Sequence, residues 1–438
     1  MKKLFLLFTA FAISVIGCRE DEYQPPVVNP EEPTITAQLI TDWLDNLVVF
    51  VRESELSGPE ASRVFAYCGV AMYEGVYRAY PARKSLAGQL NGLNTLPQPS
   101  SADYNWGIVA STAQRVVASY LFSNASVEVR QTIISLNEIH ISDFRQLGIS
   151  EDVVQRSKNY GTDLGNAITV WAAADGFAAQ QGCSYTVPQG AGLWEPTFPQ
   201  FSSPLLPCWN EMRPFVIDPG SLAIQCNPGI PTNFSSDINS DFYAAALEVY
   251  NTVNTATDEQ EKIARFWEDA IGTVTPPGHA ISILSQVIKA KNVNEEIALE
   301  AYVKSGLAMA DGYISSWTLI YDYNVLRPTT FIQEYIDPAW QPLFYNPNYP
   351  AYTSLHSVCA NAAAQVMSST IGEDVVFTDN THALYGLSPR YFNSFYEYAE
   401  EAGLAELYAG FNYRSAIENG EYQGRCIGQT VNDLTFKE

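Results

Sequence analysis

The side chains best suited to proton transfer or metal binding are four histidines, and they are scattered widely along the chain. They are His140, His279, His356 and His382. Imidazole exchanges protons near neutral pH and is a common metal ligand, but a local metal site needs closely spaced ligands. Their spacing therefore predicts no metal site. The sequence also lacks His-Glu-x-x-His, Gly-x-Ser-x-Gly and a phosphate-binding loop.

Three segments in the C-terminal third combine residue types that could hold an anion and move a proton. The first ends in Arg327-Pro328, and the second is Tyr-Pro-Ala-Tyr-Thr-Ser-Leu-His-Ser at 349–357. The third is Ala-Gly-Leu-Ala-Glu-Leu-Tyr-Ala-Gly-Phe-Asn-Tyr-Arg at 402–414. Guanidinium and hydroxyl groups bind anions, and imidazole acts as a general acid or base.

In this order, the three segments resemble the superfamily of the vanadium-dependent haloperoxidases and the type 2 phosphatidic acid phosphatases. Its pattern is Lys-x6-Arg-Pro, then Pro-Ser-Gly-His, then Ser-Arg-x5-His-x3-Asp. The likeness extends to Thr-Pro-Pro-Gly-His at 275–279 and Leu-Leu-Pro-x-Trp at 205–209, so it covers most of the chain. It implies an all-α, multi-helix bundle of the haloperoxidase and acid phosphatase type. It also implies a site whose cations hold vanadate or a transferring phosphate.

This sequence matches the superfamily pattern at only some positions. The resemblance makes Arg327 and Ser354 anion-binding residues and His356 the catalytic acid and base. The replaced positions are Ile320 for lysine, Thr353 and Leu355 for proline and glycine, Ala405 and Glu406 for serine and arginine, Asn412 for the last histidine, and Ala416 for its orienting aspartate. In the family that histidine binds vanadium or attacks phosphorus, and an amide can do neither.

The replacements also remove the positive charge that an oxyanion needs. The family's lysine and two arginines (+3) become Arg327 against Glu406 (net 0). One unit charge at about 4 Å is worth roughly 4 kcal/mol at an effective dielectric of 20, so the loss is on the order of 10 kcal/mol before screening. We therefore expect no cofactor, with vanadate only if the site is functional. The simpler structural interpretation makes Arg327 part of a salt bridge, with Glu406 a candidate partner, and His356 a hydrogen-bonded histidine at a helix start.

Three functional hypotheses follow from this pattern. The favoured one is a catalytically degenerate member that keeps the scaffold to bind a protein or a small molecule. The alternative is an active haloperoxidase- or phosphatase-like enzyme with altered chemistry that uses Arg327 and His356. The third is a carbohydrate or peptide binder, suggested by 26 Tyr and 8 Trp, although aromatic side chains more simply pack in the core and loops.

Helical periodicity runs through most of the chain. Leu39, Trp43, Leu47 and Val51 recur every four residues, as on the buried face of a helix. Further helices are predicted at about 57–76, 105–123, 127–146, 151–174, from 241, after 257, and at 294–323, 356–367 and 389–407. We find no convincing set of strands. An aperiodic region at about 175–236 has the length of a functional or wrapping loop.

Six cysteines remain if Cys18 is lipidated. Cys183, Cys208 and Cys226 lie in the aperiodic region, so a disulfide among them is predicted. Cys68 and Cys359 lie in apolar helical patterns and are predicted to be buried thiols.

The N-terminus is typical of an exported protein. Residues 1–17 have the short basic start and the apolar run of a signal peptide. Val-Ile-Gly-Cys at 15–18 resembles the lipobox of bacterial lipoproteins, although ordinary cleavage would leave Cys18 free. Residues 18–33 are acidic and proline-rich, which is typical of a tether. We therefore expect a helical domain at 34–438, lipid-anchored in the cell envelope at the outer membrane or cell surface.

The net charge of the chain disfavours two classes of partner. A net charge of −24 repels nucleic acid and anionic membrane surfaces. We expect membrane attachment through the lipid alone. A homodimer formed through a helix face is compatible with a helical domain of this size.

Overall fold

Thirteen α-helices make up most of the chain that the computed structural model describes, which is residues 35–437. They are α1 (Ala37–Glu53), α2 (Gly58–Val76), α3 (Trp106–Leu121), α4 (Val127–Gln146), α5 (Glu151–Ala173), α6 (Asp241–Asn254), α7 (Asp258–Phe266), α8 (Thr275–Lys291), α9 (Glu295–Tyr323), α10 (Pro328–Tyr335), α11 (Leu355–Thr370), α12 (Phe395–Tyr408) and α13 (Arg414–Asn432). The strands in this part of the chain are β1 (Phe377–Asp379) and β2 (Arg390–Phe392), which pair antiparallel. The predicted all-α, multi-helix fold is confirmed.

Local sequence explains where several helices begin. The Thr36 side chain accepts a hydrogen bond from the Leu39 amide at the start of α1. At the start of α2, the Ser57 backbone N–H donates to Glu60 Oε2 at 2.9 Å, and proline occupies the first turn. Thr257 and Gln260 form the predicted capping box of α7. The predicted apolar stripe of α1 is buried throughout.

The centre of the bundle consists of α2, α9, α11 and α13. Helix α9 packs against α2 and α11, and α11 packs against α13. Glycines permit these close approaches. A Cβ on Gly306 would lie 2.7 Å from the Phe65 carbonyl oxygen, and one on Gly424 would lie 2.4 Å from that of Val358. Any larger residue at either position would push two central helices apart.

The sequence prediction missed α8, α10 and α13, and it extended α12 too far towards the N-terminus. Residues 389–394 precede α12, because Arg390–Phe392 pairs with Phe377–Asp379 and Phe392 packs against Phe377 at a ring distance of 5.5 Å. Helix α13 faces α11 with Gly420, Gly424 and Gly428, and glycine has low helix propensity, so this segment is a weak helix signal in the sequence. Tertiary packing overrides local propensity at both places.

Two disulfides hold the long irregular region. Cys183 pairs with Cys208 inside it, which confirms the prediction of a disulfide among its cysteines. Cys226 pairs with Cys426 on α13, 200 residues away, so it joins the region to the bundle. Cys68 and Cys359 are buried free thiols, as predicted.

The described residues belong to one compact unit. The predicted signal peptide, Cys18 and the tether at 18–33 lie outside them. Across residues 35–437, the structure contains no helix with the length and apolar character that a membrane span requires.

Candidate binding site

A cavity of about 420 Å³ opens between the start of α2, the middle of α9 and the start of α11. Its wall includes Tyr313 and Trp317 from α9, and its deepest charged residues include His356, Asp269 and Glu406. This volume lies within the range of small-molecule sites, which combine apolar walls with a few converging polar groups.

His356 stands in the first turn of α11, where the helix start fixes its position. Ser354 is the N-cap, and its hydroxyl accepts a hydrogen bond from the Ser357 amide at 3.4 Å. The His356 Nδ1 atom lies 3.1 Å from Glu406 Oε1 on α12. Its Nε2 atom lies 3.6 Å from Asp269 Oδ2 and has no hydrogen-bond partner. His356 therefore has one nitrogen held by a carboxylate and one left unsatisfied.

Asp269 is the centre of a buried cluster to which three of the chain's four histidines contribute. Its carboxylate oxygens lie 2.8 Å from His279 Nδ1 and 2.9 Å from His382 Nε2, and His356 approaches from the cavity side. The other ring nitrogen of His279 lies 2.7 Å from Asp379 Oδ2. We call Asp269, His279, His356, Asp379, His382 and Glu406 the histidine–carboxylate cluster.

The carboxylates determine the protonation of two of these histidines. Burial alone lowers the pKa of His279, but Asp269 and Asp379 raise it to about 10. Burial likewise lowers the pKa of His356, whereas the Asp269 and Glu406 carboxylates beside it raise that pKa to about 9. Both rings are therefore imidazolium ions at neutral pH.

Two acids of the cluster have pKa values that are lowered in the folded protein. Burial raises the pKa of Asp269, but the neighbouring histidines hold it well below the usual value. The pKa of Glu406 is also lowered against burial, by His356, Arg327 and Asn412. These acids therefore carry negative charge at neutral pH.

Arg327 lies behind the cavity and is fully buried, with its guanidinium directed at backbone carbonyls. Nε donates to the Tyr349 oxygen at 2.9 Å, Nη1 to the Phe411 oxygen at 3.0 Å and Nη2 to the Pro350 oxygen at 3.4 Å. Nη1 also donates to Asn412 Oδ1 at 3.3 Å. Arg327 is not among the residues that line the cavity.

Asn412 connects the two charges that the sequence suggested as a salt bridge. Its amide nitrogen donates to Glu406 Oε2 at 2.7 Å, and its amide oxygen accepts from Arg327. Asn412 therefore bridges Arg327 and Glu406 through its side-chain amide. The other carboxylate oxygen of Glu406 contacts His356 Nδ1.

Comparisons with known proteins show which family has this fold. The family model described as the VCPO second helical-bundle domain matches residues 300–437. A bacterial vanadium-dependent iodoperoxidase is 35% identical, with a TM-score of 0.84, over 92% of this chain and 98% of that one. The chain belongs to the vanadium haloperoxidase superfamily.

More distant members of the superfamily share the fold. The apo form of a bacterial vanadium-dependent chloroperoxidase is 13% identical, with a TM-score of 0.60, over 84% of this chain and 92% of that one. The holo form is also 13% identical, with a TM-score of 0.59, over 92% and 93% of the two chains. No curated protein sequence matches the chain.

The residues present do not fit the vanadate that the superfamily implies. Ile320 is buried and uncharged, and Leu355 projects an apolar side chain into the cavity. Glu406 would face the anion with a carboxylate, and the Asn412 amide is occupied at both ends. At the last replaced position, the backbone oxygen of Ala416 accepts a hydrogen bond from the Ser354 amide at 3.0 Å. A bound oxyanion would meet negative charge where the superfamily pattern supplies cations.

Among the described residues, the group that could hold a metal ion is Asp269, His279 and His382. One ligand atom from each lies within 4.8 Å of the others. Their shortest separations are 2.8 and 2.9 Å, typical of hydrogen bonds. Two ligand atoms on one tetrahedral zinc ion lie roughly 3.3 Å apart, given zinc–ligand bonds of about 2.0 Å. Both nitrogens of His279 also face carboxylates. This geometry favours shared protons over a metal ion.

The sequence prediction identified His356 and Glu406 but missed most of the cluster around them. His279 and His382 were named among the four histidines, but no sequence pattern grouped them with His356, and Asp269 and Asp379 were not singled out. Asp269 lies 10 positions from His279 and 113 positions from His382, so no short motif joins the group. The fold brings them together by placing α8, the start of α11 and the segment after β1 side by side.

Proposed function

We propose that this protein is an exported lipoprotein of the superfamily that does not use vanadate and instead binds a small molecule in the cavity beside His356. The observation that carries the proposal is Glu406, which stands where the family pattern has an arginine and is held by His356 at 3.1 Å. The replacement changes an anion-binding cation into an acceptor whose charge is already balanced inside the protein.

The balance of charge supports this proposal. Asp269, Asp379 and Glu406 contribute −3, while His279, His356 and Arg327 contribute +3, so the sum is 0. A vanadate ion would therefore add uncompensated charge to a buried site. The cost of burying an unpaired ion in a protein is several kcal/mol.

Isothermal calorimetry with orthovanadate and with phosphate tests the proposal. We expect no heat of binding at millimolar anion, because Glu406 and Asp269 already offset the charge of His356, and neither lysine nor arginine lines the cavity among the described residues. The bacterial vanadium-dependent iodoperoxidase, measured under the same conditions, is the positive control for vanadate. Micromolar vanadate binding by this protein would overturn the proposal and restore a haloperoxidase-type function.

A second candidate function is an enzyme with altered chemistry, and the unsatisfied His356 Nε2 favours it. This nitrogen belongs to a cavity-lining residue and could give a proton to a substrate. Arg327, which the sequence suggested as its helper, is occupied by carbonyl groups. Halide oxidation or phosphoester hydrolysis that disappears in His356→Ala but persists in His140→Ala would establish this function instead.

We propose a lipid anchor at Cys18, based on the signal-like segment at 1–17 and the acidic tether at 18–33. The Cys183–Cys208 and Cys226–Cys426 disulfides support export, since such bonds persist in oxidising compartments.

The anchor is tested by expressing the full chain and its Cys18→Ser variant in a bacterial host with a lipoprotein pathway. We expect wild type to incorporate labelled fatty acid and to partition into detergent, because acyl chains supply the membrane affinity. The variant should remain in the aqueous phase, and Cys68→Ser should behave like wild type. Equal partitioning of wild type and Cys18→Ser would contradict the anchor.

A further inference from the structure

We infer that the cavity binds a neutral, polyhydroxylated molecule of about monosaccharide size, with one hydroxyl bridging His356 Nε2 and the Asp269 carboxylate. This inference rests on the proposed function, in that it takes the cavity to be a binding site without vanadate. It adds the chemical class of the ligand.

The bridging position is defined by an unsatisfied donor beside an acceptor. His356 is only 8% exposed, and its Nε2 has no hydrogen-bond partner. Asp269 Oδ2 lies 3.6 Å away, too far for a good direct hydrogen bond, and both residues line the cavity. A hydroxyl accepts and donates at once, so it can accept from His356 and donate to Asp269. A buried unsatisfied donor is costly, which favours such an occupant.

Charge selects against ionic ligands at this point. The cavity-lining acids are Glu268, Asp269 and Glu406, and neither lysine nor arginine lines the cavity among the described residues. An anion would therefore meet three carboxylates, and the charge of His356 is already offset by Glu406 and Asp269. A cation placed at the same point would meet the protonated ring of His356. A neutral group that donates and accepts hydrogen bonds avoids both penalties.

The walls suit a ring that has an apolar face and polar edges. Trp317 lies 5.8 Å from Tyr313 and 5.4 Å from Tyr349 between ring centroids, which forms an aromatic wall. The wall is rigid, because the Trp317 indole donates to the Leu206 oxygen and Arg327 stacks over Tyr349. Aromatic faces pack against C–H groups, while their polar tips and nearby amides bind hydroxyls.

The test is calorimetry on the full chain with a series of six-membered-ring polyols that differ in charge. Glucose, galactose, mannose and myo-inositol are the neutral probes, glucosamine is the cation and glucuronate is the anion. We expect at least one neutral probe to bind in the millimolar range or tighter. The charged analogues should bind about tenfold more weakly or not at all.

Two exposed tyrosines provide a matched pair of substitutions. Neither should disturb folding, because both side chains are largely exposed. Tyr345 lines the cavity and is 65% exposed, whereas Tyr391 is 62% exposed and lies outside it. Tyr345→Ala should weaken binding of the neutral probe several-fold, and Tyr391→Ala should leave it unchanged. His356→Phe, which removes the bridging donor, should weaken binding by about tenfold or more.

Failure of all neutral probes to bind, or tighter binding of glucosamine or glucuronate, would overturn the inference. Neither result restores vanadate, so the proposed function is judged separately by the orthovanadate titration. Equal effects of Tyr345→Ala and Tyr391→Ala would show that the probe binds elsewhere, which also overturns the inference.

Discussion

Glu406→Gln is expected to lower the free energy of unfolding by about 3–5 kcal/mol, which is the usual cost of removing one partner from a buried ion pair. The amide preserves the shape of the side chain, but it removes the charge that offsets His356 and Arg327. Both cations would then remain buried without their shared counter-charge. Chemical denaturation at neutral pH measures the change directly.

Glu400→Gln is the matched control, because Glu400 lies on the same helix and is exposed to solvent. We expect that variant to change stability by less than about 0.5 kcal/mol. If both substitutions had equally small effects, Glu406 would not be coupled to the buried cations. A double-mutant cycle with His356→Gln would isolate the coupling between the two side chains.

Stability is expected to fall steeply as the pH rises from about 8 towards 10, because two histidines bind protons more tightly in the folded protein. The pKa values of His279 and His356 are about 10 and about 9, whereas a free histidine has a pKa of about 6.5. Their contribution is fully present below about pH 6.5 and is lost as the pH passes through the folded values. The loss amounts to several kcal/mol in total.

Urea unfolding at a series of pH values measures this slope. Glu74 and Asp311, whose pKa values burial raises to about 7 and about 6, titrate largely below the chosen window. His356→Gln should reduce the slope by about one proton equivalent. A flat stability profile between about pH 8 and 10 would mean that the carboxylates do not hold these histidines protonated.

The acids of the cluster produce the opposite dependence at low pH. The pKa values of Asp269 and Glu406 are lowered on folding, so their contribution is present above about pH 4 and is lost as the pH falls through the folded values. Stability from the cluster should therefore be greatest between about pH 4 and 6.5. This profile follows from the internal pairing of charges and needs no bound anion.

The fold is that of the superfamily, and the charges around His356 are paired within the protein. His356 still begins α11 behind its serine cap, and Arg327 still precedes α10. Because Glu406 stands where the family pattern has an arginine, His356 and Arg327 offset the charge of a buried carboxylate. The charges of His356, Arg327 and Glu406 are paired inside the protein, so the folded site needs no bound anion to balance them.

The sequence by itself determined the all-α fold, most helix positions and the superfamily. Apolar residues at helical spacing and capping residues act over a few positions, so helices such as α1, α7 and α9 could be read directly. The order of the three C-terminal segments identified Glu406 and Asn412 as replacements, because each replaced residue occupies a defined place in the pattern.

Only the tertiary structure decided what these replacements form. Asp269 lies more than 100 positions before Asp379 and His382, and the contacts between them depend on how α8 and the end of β1 pack beside α11. The pairing of Cys226 with Cys426 and the strands before α12 also arise from long-range packing. Such contacts leave no local periodicity, because their energy comes from burial and charge pairing between segments that meet only in the folded chain.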